Sequence, residues 1–209
     1  LRSGDAVDVL RSLVRQTGAG AVFWTRTYEP ASISRDSDVK SALKADGTDA
    51  KSHGGHVLFE PWTVETKTGG YYKVFSPMWR AVKNRDVAAP ETTPAQLPAP
   101  EAWPDSEALD DWNLGRAMDR GASVCLPHQR VGEEAAQGRL GWFAGQAIAN
   151  YKSRRNLPAE DATSGLSENL TYGEVSPRQC WHAGLRALHD GADGAETWLK
   201  ELVWREFAY

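Results

Sequence analysis

Cysteine is scarce in this sequence. Cys125 and Cys180 are the only two, and neither a CxxC pair nor a zinc-ligand spacing can be built from them. That excludes a disulfide framework and a cysteine-based metal site, and a reduced, cytoplasmic protein is expected. No apolar run reaches the ~18 residues of a membrane span, and no signal-peptide pattern opens the chain. No membrane association is therefore expected. An excess of positive charge is also missing. Lys and Arg number 24 against 28 Asp and Glu, a formal net charge of −4. This argues against a generally basic nucleic-acid coat but leaves room for a local basic patch. No internal repeat is evident.

What the chain does have is tryptophan, nine in 209 residues, and a hydrophobic fraction of 41%. That is enough for one sizeable core or two modest ones. Tryptophan serves packing, and it also stacks on flat ligands. The chain opens on Leu1 and reaches Tyr209 inside a helical pattern. A piece of a longer protein, cut at both ends, is expected.

Periodicity divides the chain by character. GDAVDVLRSLVRQTGAG reads as a helix stopped by Gly18 and Gly20, AVFWT (21–25) as a buried strand, and SRDSDVKSALKADG (34–47) as a second helix. HVLFEP (56–61) reads as the next strand. Alternating helices and apolar strands predict a parallel sheet covered by helices, with an opening strand missing upstream. VFSPMWRAVKN starts a helix with Ser76 as its cap and Pro77 in its first turn. Pro90, Pro94, Pro98, Pro100 and Pro104 then mark an extended stretch. From Val131 the pattern is helical. One long helix runs through Tyr151, a polar loop covers 156–167, a helix is capped by Ser176 with Pro177 behind it, and a last helix covers GAETWLKELVWREFAY.

Several stretches could carry chemistry. HGGH (53–56) has two histidines but no further ligands at metal spacing, so a turn is the better account and no metal is expected. NLT (169–171) matches a glycosylation sequon, read here as accidental. TSGLSENL (163–170) sets three hydroxyls around a glycine, with Ser167 as a helix cap. Such a loop suits a phosphate, although an ordinary capped turn is commoner. YKSRRNLP (151–158) places Arg154 and Arg155 at a helix end, where a phosphate contact competes with a solvated terminus. On the last helix, Trp198, Glu201 and Arg205 share a face and Trp204 lies on its edge. Charges make that a poor core face and a reasonable ligand wall. A Glu201–Arg205 surface ion pair is the plain alternative.

Taken in order, FEPWTVETKTGGYYKVFSPMWRA (59–81), YKSRRNLPAEDATSGLSENLTYGEVSPRQCWHA (151–183) and WLKELVWREFAY (198–209) resemble the DNA photolyase/cryptochrome family. The likeness covers nearly the whole chain, and class I cyclobutane pyrimidine dimer photolyases are the members it most resembles. It implies a Rossmann-like α/β domain joined by a long linker to a helical FAD-binding domain, the fold class being α/β plus all-α. The implied divisions are 1–85, a partial antenna-binding α/β domain; 86–130, the linker; and 131–209, the start of the helical domain.

The resemblance also implies site residues. Tyr151, Thr163, Ser164, Gly165, Leu166, Ser167, Trp198 and Arg205 match FAD-contacting positions, with Gly165 standing where many members have arginine. Arg155 matches a DNA contact. Glu201 and Trp204 match the catalytic pair that faces a flipped pyrimidine dimer. Dimer-containing DNA is the implied partner, reduced FAD the electron source, and a monomer the expected state. Ala31 and Ser32 stand where folate-using members carry Asn and Glu. That argues against folate and leaves a deazaflavin, a flavin or no antenna open. The implied activity is light-driven dimer repair, with the fragment alone inactive. A cryptochrome-like blue-light receptor is the alternative, and a nucleotide-binding α/β protein without photochemistry is a more distant one.

Overall fold

The computed structural model describes residues 1–209 as two compact units. One comprises Leu1–His53 and Thr93–Gln129; the other comprises Gly54–Thr92 and Arg130–Tyr209.

The first unit is a small α/β layer. Helix α1 (Ala6–Thr17) starts at Asp5, whose carboxylate accepts from Val7 N (2.9 Å) and Asp8 N (3.2 Å). It ends where Gly18 turns left-handed and its N–H bonds Val14 O. Strand β1 (Ala21–Thr25) follows, then α2 (Pro30–Ala45) and β2 (Asp49–His53). The strands pair in parallel, from Ala21 opposite Asp49 to Thr25 opposite His53. Val39, Leu43 and Ala50 form the core, with Val22 and Trp24 packed against it. Phe23 points away and is exposed, so β1 is buried on one face only. Helix α2 begins four residues before the periodic stretch, because Pro30 occupies its first position without any side-chain cap. Residues 86–108 form no helix or strand. The short helix α4 (Arg120–Cys125) lies beyond them. Glu107 ties this segment to the chain start by accepting from Ser3 N (2.8 Å).

The second strand is not where sequence places it. HVLFEP forms no strand. Val57 and Phe59 are buried, but the N–H groups of Leu58 and Phe59 donate to Glu206 Oε2 at 2.7 and 3.2 Å. A carboxylate satisfies donors that a sheet ladder would otherwise use. In its place the more polar DAKSH pairs with β1, turning only Ala50 fully inward.

The second unit is helical: α3 (Phe75–Val82), α5 (Glu133–Trp142), α6 (Tyr151–Arg154), α7 (Ser167–Tyr172), α8 (Pro177–His189) and α9 (Ala195–Phe207). Its core includes Phe143, Ile148, Leu166, Trp181, Leu199 and Val203. Packing thus places 54–92 with 130–209, rather than with an α/β segment ending at 85. The expected single helix through Tyr151 is interrupted. A π turn (Phe143–Ala147) and a 3₁₀ turn (Ile148–Asn150) separate α5 from α6. There the start of α9 comes so close that a Cβ on Gly194 would lie 2.0 Å from Ile148 O. Ser176 caps α8 as expected, in a full capping box with Gln179. Ser76 and Ser167 do not cap. Val74 and Leu166 hold those positions, and the serines lie inside the first turns. No helix is long and apolar enough to cross a membrane, and no cluster of three or more His, Cys, Asp or Glu could hold a metal.

Candidate functional site

Two groups of the expected residues take shape within the helical unit. The first is the loop Thr163–Ser167. Behind it lies Arg139 on α5, 8% exposed. Its Nε donates to Ser164 O and its Nη2 to Thr163 O, both at 2.8 Å, and its guanidinium also grips Asp161. That hydrogen bond holds the Asp161 carboxyl below the usual range. The guanidinium therefore takes up the carbonyls of Thr163 and Ser164, while no hydrogen bond within the protein engages the N–H groups from Ser164 to Ser167. Gly165 sits at φ +59°. A Cβ there would lie 3.5 Å from Arg139 Nη2 and 3.7 Å from Arg130 Nη1, so two cations border the glycine. Arg130 is fixed through its backbone: its N–H donates to Glu168 Oε1 (3.1 Å) and its carbonyl accepts from Asn169 Nδ2 (2.7 Å). Thr163, Gly165 and Ser167 are exposed; Leu166 is buried and anchors the loop.

The second group is on α9. Glu201 pairs with Arg155 at the end of α6, both about one-third exposed. The Glu201–Arg205 surface pair, the plain alternative read from sequence, does not form. Arg205 instead donates to His56 O and lies 3.3 Å from Glu206 Oε1. Trp204 is 46% exposed, and its ring stacks on Phe75, with centroids 3.9 Å apart and planes at 8°. Trp198 does not share this open face. It is 3% exposed and packs on Phe143, which also meets the buried Tyr151 edge-on. No hydrogen bond or ion pair links the loop to Trp198, Glu201, Trp204 or Arg205. Ala31 and Ser32 lie in the first turn of α2, in the other unit.

Sequence reasoning misses Arg139, Arg130, Phe75 and the role of Glu206. An arginine and a glutamate on otherwise apolar helix faces were the available signals. Glu206 is 7% exposed and borders a cleft of about 310 Å³ with Phe59, Tyr72, Met78 and Phe207. Burial pushes its carboxyl up to about 7, against the opposing pull of the Phe59 and Leu58 N–H groups and Arg205.

The sequence pattern of the family described as DNA photolyase matches residues 1–101. A deoxyribodipyrimidine photo-lyase of Agrobacterium fabrum is 40% identical over 212 residues, an alignment that takes in 100% of this chain. Over its whole length the chain is similar to DNA photolyases. A second relative, the deoxyribodipyrimidine photo-lyase of a Synechococcus, is 34% identical over 220 residues. The chain spans 44% of the length of each of these relatives. Among solved structures, a bacterial class III photolyase from Agrobacterium tumefaciens superimposes with a TM-score of 0.91 at 39% identity. It covers 98% of this chain and 43% of that one. The α/β plus helical fold class is thereby that of a photolyase.

Proposed function

We propose that this chain is the dimer-facing part of an enzyme that repairs cyclobutane pyrimidine dimers in DNA under light. One observation carries the reading. Helix α9 presents a half-exposed tryptophan, Trp204, one turn from a carboxyl, Glu201, beside a cationic residue, Arg155. A flipped, non-planar pyrimidine dimer needs a flat apolar surface, and Trp204 offers one. Arg155 would meet a phosphate next to the flipped pair. Once it does so, Glu201 is released from the ion pair. In its protonated form Glu201 donates from its carboxyl oxygen to a pyrimidine carbonyl on which charge develops.

The loop fits a dinucleotide cofactor. The carbonyls of Thr163 and Ser164 are taken up by Arg139, its amides are open, and Arg130 adds charge beside Gly165. Thr163, Ser164 and Ser167 would hold the phosphates of FAD with the backbone of Gly165 and Leu166. Trp198 and Tyr151 would line the flavin side from the core, with Arg205 at its edge. When bound, reduced FAD supplies the electron that light delivers to the dimer. The protein's part is to bind, orient and keep water out. Ala31 and Ser32 lack the amide and carboxylate that would hold a folate antenna. The 39% identity to a class III photolyase supports class III over the class I assignment expected from sequence.

The test is loss of thymine dimers from a short oligonucleotide, in light and in darkness, by the flavin-loaded protein that carries this sequence. Repair only in light is the expected result. No repair with reduced flavin fully bound would overturn the reading and favour a cryptochrome-like receptor.

A further inference from the structure

Trp204 does not stand alone on α9. Phe75, the first residue of α3, lies flat against one of its faces at 3.9 Å and 8°. Phe207 meets both rings edge-on: 5.6 Å and 88° to Trp204, 6.0 Å and 83° to Phe75. Phe75 is half-buried, while Trp204 remains 46% exposed. One indole face is therefore covered and its exposed surface lies on the other side. Both ring neighbours are apolar and fix the indole plane by ring contact.

An exposed tryptophan on a bare helix has two side-chain torsions to settle, and a ligand that stacks on it must immobilise both. Here the stack beneath and the edge contact at the side settle them before any ligand arrives. We propose that Phe75 is a positioning residue for recognition of the damaged base pair. It holds Trp204 as a fixed platform, so the flipped dimer completes a three-layer stack of Phe75, Trp204 and pyrimidine. This rests on the reading of Trp204 as the surface that meets the dimer, and it gives Phe75 a share in discriminating damaged from undamaged DNA. Phosphate contacts do not depend on the plane of Trp204, so affinity for undamaged DNA is independent of Phe75.

Three substitutions separate this role from simple space filling. Phe75→Tyr keeps a flat ring, Phe75→Leu keeps apolar bulk without a flat face, and Phe75→Ala removes both. The measurement is the dissociation constant, in darkness, of the flavin-loaded protein for one oligonucleotide with and without a single thymine dimer. Trp204→Ala serves as the control, and flavin content and circular dichroism report folding. Phe75→Leu and Phe75→Ala should bind the dimer oligonucleotide about three- to tenfold more weakly, the scale of immobilising one large side chain. Phe75→Tyr should stay within about twofold of wild type, below that scale. Undamaged DNA should bind all of them equally. If Trp204→Ala weakens dimer binding while Phe75→Leu binds like wild type, Phe75 only fills space and the proposal is overturned. If Trp204→Ala leaves dimer affinity unchanged, the reading of α9 falls, and this proposal with it. Should Phe75→Ala fail to fold, the comparison of leucine with tyrosine decides alone.

Discussion

Arg139 is a buried cation, and the structure supplies partners for four of its five donors: two loop carbonyls and both oxygens of the Asp161 carboxylate. Replacing it by alanine leaves those carbonyls without donors, at a cost of about 1–3 kcal/mol. Lysine cannot reproduce the fork. Chemical denaturation should therefore show Arg139→Ala and Arg139→Lys both destabilised, and flavin titration should show both with weakened FAD binding. A wild-type FAD affinity in either would disconnect the loop from the cofactor. Glu206 is the other residue whose chemistry its burial sets. Its carboxyl titrates near 7 when folded, against an ordinary value of 4.5. Between those pH values the folded state holds a proton that the unfolded chain releases, so stability falls as pH rises from about 4.5 to about 7 and levels off above. The span corresponds to roughly 3 kcal/mol. Glu206→Gln should flatten that part of the stability-against-pH curve. An unchanged slope would show that Glu206 is ionised in the folded protein.

At the scale of elements, Gly194 decides how α9 enters the core. Its φ of −81° suits any residue, so its need is for space. A methyl group there would meet Ile148 O and Tyr151 N, backbone atoms of the irregular turns before α6. Gly194→Ala should destabilise the helical unit by about 1–3 kcal/mol or more, read from a denaturation midpoint. A neutral effect would mean that the turns shift freely. Helices with explicit ends were legible from sequence. Gly18 closes α1, and Ser176 with Pro177 opens α8. Where tertiary contacts override local signals, the sequence misleads. HVLFEP has strand composition, but Glu206, far along the chain, takes its N–H groups. The long helical run before Tyr151 carries no visible break, because the π and 3₁₀ turns lie against the start of α9. The sequence motifs name candidate residues, whereas Arg139 and Phe75, which pack beside them, become visible only when the helices pack.

At the scale of the whole molecule, the chain supplies 44% of the length of its photo-lyase relatives, in two compact units. The residues proposed to meet flavin and dimer all lie in the helical unit, between Tyr151 and Arg205. The central claim is that α9 is where a pyrimidine dimer is held and split. The most direct measurement is dimer repair per photon absorbed by the flavin-loaded protein carrying this sequence, comparing wild type, Glu201→Ala, Trp204→Ala and the double variant at equal flavin content. The account predicts loss of about tenfold or more in Glu201→Ala, the worth of a hydrogen bond to a charged group. Trp204→Ala should need higher dimer concentrations to reach its plateau, and the double variant should fall below both. Repair at the wild-type yield and the wild-type dimer affinity in all three variants would contradict it and place the dimer elsewhere.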